Sequence, residues 1–137
     1  MKRAQKGSEE IFGMARVGYI GVSKELEVYI NTNDNGIIPH FHLRDSANGE
    51  KFHTCIKIAS PEYYPHDGKE DRLNSSMIKA LDTFMRSKVQ IERYADKFDN
   101  NWQLTCFLWE LNNSDTDIPT DVAMPDYQKI RQREVST

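Results

Sequence analysis

The chain has 137 residues, 38% hydrophobic, 10% aromatic and 28% charged, and its 18 Lys plus Arg against 21 Asp plus Glu give a net charge of -3. One ordinary globular domain fits that length, several multi-strand domains do not, and the near-neutral balance excludes a protein that coats nucleic acid through its overall charge. With a mean hydropathy of -0.71, no apolar run nears the roughly 20 residues that span a bilayer, and the basic Met1-Lys2-Arg3 leads into Gln5-Lys6-Gly7-Ser8-Glu9-Glu10 rather than an apolar stretch, so a soluble protein without membrane span or secretion signal is expected. Cys55 and Cys106 lack any C-x-x-C spacing, which gives no disulfide framework and suits a reducing cytoplasm.

Residues 1–13 are polar and aperiodic, so they read as an N-terminal extension to a folded unit that begins at Met14. Four segments rich in Val, Ile, Tyr or Phe follow, at about residues 15–22, 25–31, 37–44 and 51–59, separated by Ser23-Lys24, Asn31 to Gly36 and Asp45 to Glu50. Turn chemistry in the separators predicts a four-stranded antiparallel meander. Beyond it, Asn74 and Ser75 are N-cap residues, and Met77, Ile78, Leu81, Phe84 and Met85 recur at helical spacing. A second helix is expected at 101–111, grouping Leu104, Phe107, Leu108 and Leu111. From Asn112 the chain carries Asp115, Asp117, Asp121 and Asp126 with Pro119 and Pro125 and no base until Lys129, which reads as an extended acidic tail. The predicted fold is therefore α+β: a four-stranded antiparallel meander with two helices packed on one face. Residues 14–113 form its single domain, with a polar extension at 1–13 and an acidic tail at 114–137.

Strand register follows from the demand that apolar residues share a face. In the third strand the odd positions Pro39, Phe41 and Leu43 are apolar, and in the fourth the even positions Phe52, Ile56 and Ile58 are. A two-residue turn at Asn48-Gly49 joins odd to even and opposes His42 to Cys55. The other face then collects His40, His42 and Arg44 with Lys51, His53, Cys55 and Lys57. Carrying the pairing across Asn31 to Gly36 opposes Glu27 to His40 and Glu25 to His42, so two carboxylates, three imidazoles and a thiol meet with cross-strand Cβ distances of about 5 Å.

Such a group has three chemical readings. His40, His42, His53 and Cys55 offer donors for Zn²⁺ or another borderline metal. Glu25 or Glu27 beside His40 or His42 would orient the ring for general acid–base catalysis, as in a small hydrolase or RNA-cleaving toxin. Arg44, Lys51 and Lys57 would supply a local cationic face for phosphate. Against all three stands the plain reading that Glu, His, Lys and Arg on neighbouring strands are ordinary cross-strand pairs on a solvated or partner-covered face. Tyr63 and Tyr64, in a turn-rich loop, could stack a base or a peptide, or could pin the loop onto the domain. Two further patterns carry no weight. Asn31-x-Asn33-x-Asn35-Gly36 has neither the first Asp nor the twelfth-position Glu of a calcium loop, and Ser76-Met-Ile-Lys79 has no S-D-N or K-T-G companion.

The succession of a strand, Asn33-Asp34-Asn35-Gly36, Ile37-Ile38-Pro39-His40-Phe41-His42-Leu43, Gly49-Glu50, a strand, and helices ending Leu108-Trp109-Glu110-Leu111-Asn112 resembles a small bacterial and phage family known only as a domain of unknown function. Its marks are a Pro-His-x-His strand and a terminal helix with a Leu-x-x-Trp-Asn-like signature. The resemblance covers about residues 25–113 and implies a compact α+β domain, encoded beside a partner in toxin–antitoxin-like gene pairs or on mobile elements. It carries over no catalytic residue; His40 and His42 match by position. Ile38 stands where a second Pro is common, the insertion between fourth strand and first helix is longer, and the acidic tail is additional. The functional expectation is a non-enzymatic accessory module in the cytoplasm, or host cytoplasm if phage-encoded, that binds a protein or nucleic-acid partner through its His-bearing face or the Tyr63-Tyr64 loop. A small His/Glu-based hydrolase or RNA-cleaving toxin and a structural metal-binding domain are the alternatives; no cofactor is expected, zinc being the one the donor set would allow.

Overall fold

The computed structural model describes residues 10–11, 14–21, 25–31, 38–45, 52–65, 70–113, 118–119 and 121–130. Strands β2 (Met14–Gly21), β3 (Glu25–Asn31), β4 (His40–Arg44) and β5 (His53–Lys57) form the antiparallel meander in chain order, and a short β1 (Glu10–Ile11) pairs with the start of β2. The N-terminal extension thus contributes a last pair of residues to the sheet edge. Helix α1 (Ser75–Arg86) and helix α2 (Asn101–Asn112) follow, with 3₁₀ turns at Glu92–Tyr94 and Tyr127–Lys129.

Alternation builds the first face. Leu26, Val28 and Ile30 of β3, Phe41 and Leu43 of β4 and Ile56 of β5 are all fully buried in one cluster with the apolar stripe of α1, namely Met77, Ile78, Leu81, Phe84 and Met85. Asn74 caps that helix by accepting the Met77 N–H at 2.8 Å, so an otherwise unpaired first-turn donor is satisfied. β2 carries a register shift between Arg16 and Gly18, and Gly18 then faces α1 so closely that a Cβ there would lie 3.0 Å from the Phe84 ring and 2.6 Å from Gln90 Oε1. Only glycine lets helix and strand approach this far.

Helix α2 is capped by Asn100, which accepts the Gln103 N–H at 2.8 Å, and it buries a different arc from the expected one. Leu104 and Leu108 are in the core, but with Trp102, Thr105 and Trp109 for company, while Phe107 is 37% and Leu111 61% exposed. The apolar residues of this helix nearly encircle it, so periodicity alone could not choose its inward side; the two tryptophans, with the larger area to bury, take it. Phe107 instead joins Tyr94 and Phe98, with ring centroids 5.9 and 5.1 Å away.

The described part of the acidic tail is packed against the domain. Ile118, Tyr127 and Ile130 are buried in the same core. The Tyr127 backbone N–H donates to buried Asp82 at 3.0 Å and its hydroxyl donates to the Ile58 carbonyl at 2.7 Å, an oxygen that also accepts the Trp102 indole N–H at 3.0 Å. Burial pushes the Tyr127 phenol well above its ordinary range. Sparse apolar residues among aspartates are enough to fix this segment, because each of the three fills core volume.

Candidate metal centre

The register between β4 and β5 opposes His42 to Cys55, as apolar matching requires, and places His40 beside Lys57 and Arg44 beside His53. The ladder continues past the strands, with Asp45 N–H donating to Phe52 O at 3.0 Å; the Asn48-Gly49 turn and Lys51 lie outside the described residues. Between β3 and β4 the register differs from the expected one by four residues: Tyr29, not Glu25, faces His42, and Glu27 faces Arg44, not His40. A shift of four preserves the parity of the pairing, so the apolar residues stay on their face and the hydrophobic demand is equally satisfied by both registers. The observed pairs are symmetric about positions 35 and 36 and the expected ones about 33 and 34, so the offset is the one a two-residue reversal at Asn35-Gly36 would give.

The shift decides what surrounds the imidazoles. Tyr29 stacks on His42 with centroids 4.8 Å apart and its hydroxyl lies within hydrogen-bond distance of His53 Nε2, at 3.1 Å. The Asn31 amide donates to His42 Nε2 at 3.3 Å, which leaves the proton of that ring on Nδ1. His42 Nδ1 lies 3.0 Å from His53 Nε2 and 3.3 Å from Cys55 Sγ, and Sγ is 4.0 Å from His42 Nε2. His40 donates from Nδ1 to the Ile38 carbonyl at 2.9 Å, so its lone pair is on Nε2. Its ring stacks on Tyr64 at 4.2 Å and meets Trp109 at 5.4 Å.

His40 and His42 are 0% exposed, Cys55 1% and His53 7%. The face expected to meet solvent or a partner is covered by the chain itself, and any partner contact through these histidines would first need it uncovered. One ligand atom each from His40, His42 and Cys55 can be chosen so that all lie within 4.8 Å of one another. Donors around one tetrahedral zinc stand about 3.5 Å apart, so small rotations of the rings would close the set on an ion. This buried cluster could therefore hold a metal.

The remaining candidates divide. Glu27, 2% exposed, accepts Arg16 Nε at 2.8 Å and Arg44 Nε at 2.9 Å, while Arg44 also lies over the Tyr29 ring at 4.7 Å. Glu25 sits at the far end of β3, opposite Gly21. Lys57 pairs with Glu62 at 2.8 Å. Tyr63 accepts the Leu73 N–H on its hydroxyl at 2.9 Å, and Tyr64 donates its N–H to Cys55 O at 2.9 Å. Both tyrosines pin the loop along the outer edge of β5. The second thiol, Cys106, stands apart: burial, with Glu110 nearby, pushes it up to about 12.

Tyr29, Asn31 and Trp109 belong to the site and were not anticipated. The first two were accessible in principle, since alternation places them on the same face as Glu27. Trp109 was not, because it reaches His40 from a helix in a distant part of the chain. Comparison with protein-family models, curated proteins and solved structures gives no match, so the chemistry of the cluster rests on its own atoms.

Proposed function

We propose that this chain is a metal-binding domain in which His40, His42 and Cys55 hold a single transition-metal ion. The observation that carries the reading is the convergence of three buried donors within 4.8 Å on a face whose neighbours already engage the other ring nitrogens. Metal-ligating histidines characteristically donate their second N–H to a carbonyl or another outer-shell acceptor. His40 does so to Ile38 O and His42 Nδ1 is directed at His53 Nε2. Each therefore presents Nε2 as the ligating atom, with the Asn31 amide displaced from His42.

Burial shapes the role. An ion at this depth would be reached by substrate only after the Tyr64 and Trp109 rings move aside, which favours an ion that is stored or structural over one that works on a bulky substrate. The domain also possesses a large apolar core independent of the cluster, so unlike a zinc finger it has other means of staying folded. Metal should add stability by mass action, about 2.7 kcal/mol at a free concentration a hundred times the dissociation constant.

Metal content of protein purified without chelator, and melting curves with and without EDTA, test the reading. One ion per chain and a melting temperature lowered by EDTA are expected, with both effects absent in Cys55→Ala. A folded, metal-free protein whose melting curve ignores both added metal and chelator would overturn it.

A further inference from the structure

The net charge around the cluster discriminates between ions. Two neutral imidazoles and one thiolate bring a single negative charge to the bound ion. Glu27, on the same sheet face, is taken up by the Arg16 and Arg44 guanidiniums, so its charge is already matched. Lys57 on the other side is matched by Glu62. A divalent ion would thus leave one uncompensated positive charge among residues that are 0–1% exposed. Burying an unpaired charge is expensive, and a protein interior screens it poorly. A monovalent ion makes the site neutral.

Coordination number points the same way. Zinc takes four ligands, with water completing a three-residue set; the rings of Tyr29, Tyr64 and Trp109 pack around His40 and His42, which confines the room for a fourth ligand to a cavity of about 50 Å³ beside Cys55 and Tyr64. His53, the nearest further nitrogen, faces His42 Nδ1 and the Tyr29 hydroxyl instead. Monovalent copper is soft, prefers thiolate with imidazole, and is content with three ligands.

We infer that the ion is monovalent copper, held three-coordinate by His40, His42 and Cys55 in a neutral, aromatic-walled site. This rests on the metal-binding reading above and narrows it. His53 is then a positioning residue that fixes the His42 ring through Nδ1.

Full-length protein stripped of metal would be titrated anaerobically with Cu⁺ presented by a coloured competing chelator, and separately with Zn²⁺ and Co²⁺. One equivalent of Cu⁺ should transfer from the chelator and resist displacement by excess Zn²⁺, with X-ray absorption reporting two nitrogen neighbours and one sulfur. His53→Ala should weaken Cu⁺ binding roughly 10- to 100-fold, the usual cost of losing an outer-shell partner. Cys55→Ser and His40→Gln, each checked for native circular dichroism, should weaken it more. Displacement of Cu⁺ by Zn²⁺, or a tetrahedral Co²⁺ spectrum at lower concentration than Cu⁺ uptake, would overturn the copper assignment and leave the metal site standing. Failure of all three ions to bind would remove both.

Discussion

The two faces of the sheet are both buried, yet by opposite means. On the helix face, Leu26, Val28, Phe41, Leu43 and Ile56 meet α1, α2 and the tail through apolar contact. On the other face, Arg16, Glu27, Tyr29, His42, His53 and Cys55 are held by directional bonds and ring stacking. Apolar contact is insensitive to pH, chelators and the identity of any ion, whereas every bond on the polar face involves a group that can be protonated, oxidised or ligated. Stability is therefore expected to reside mainly in one layer and chemical responsiveness in the other.

Substitutions can break that contrast. Phe41→Ala empties a fully buried site that touches Tyr127 edge-on at 5.9 Å and should cost about 3–5 kcal/mol by urea denaturation, with the same loss in the presence and absence of metal. A metal-dependent loss would mean that the two faces are coupled rather than independent. On the polar face, Glu27→Gln removes the charge shared by two arginines that are 28% and 21% exposed. Because solvent can take over part of their hydration, a loss of about 2 kcal/mol is expected, less than for a wholly buried pair; a change below a few tenths would show that the triad is dispensable. The smallest effect sharpens the account of the tail. Tyr127→Phe deletes the hydroxyl donated to Ile58 O, but Trp102 still donates there, so about 1 kcal/mol should be lost, together with faster proteolysis after residue 113.

Several features were legible because a short-range rule governs them. Alternation in β4 and β5 is clean, and the parity of their pairing admits few offsets, so His42 opposite Cys55 follows from residues alone. The stripe of α1 is equally plain, since all five apolar residues at helical spacing are buried. The pairing of β3 with β4 was not legible. Parity survives a shift of four, so alternation alone admits both registers, and only a reversal centred on positions 35 and 36 selects the observed one. Helix α2 failed in a related way: apolar residues all round leave rotation undetermined, and tertiary volume chose Trp102 and Trp109 over Phe107 and Leu111.

The sequence by itself determined the α+β class, the order of the strands, the faces of β4 and β5, and the gathering of His40, His42, His53 and Cys55 on one side. Periodicity encodes which face a residue takes, and needs no knowledge of the rest of the chain. Tertiary structure alone decided that this side is buried rather than solvated, that Glu27 pairs with two arginines rather than with a histidine, and that Tyr29, Tyr64 and Trp109 wall the cluster. Those outcomes depend on where the chain reverses between β3 and β4, on the rotation of a helix and on a segment packing against β5, choices that fix how far the donors lie from water and hence what they can hold.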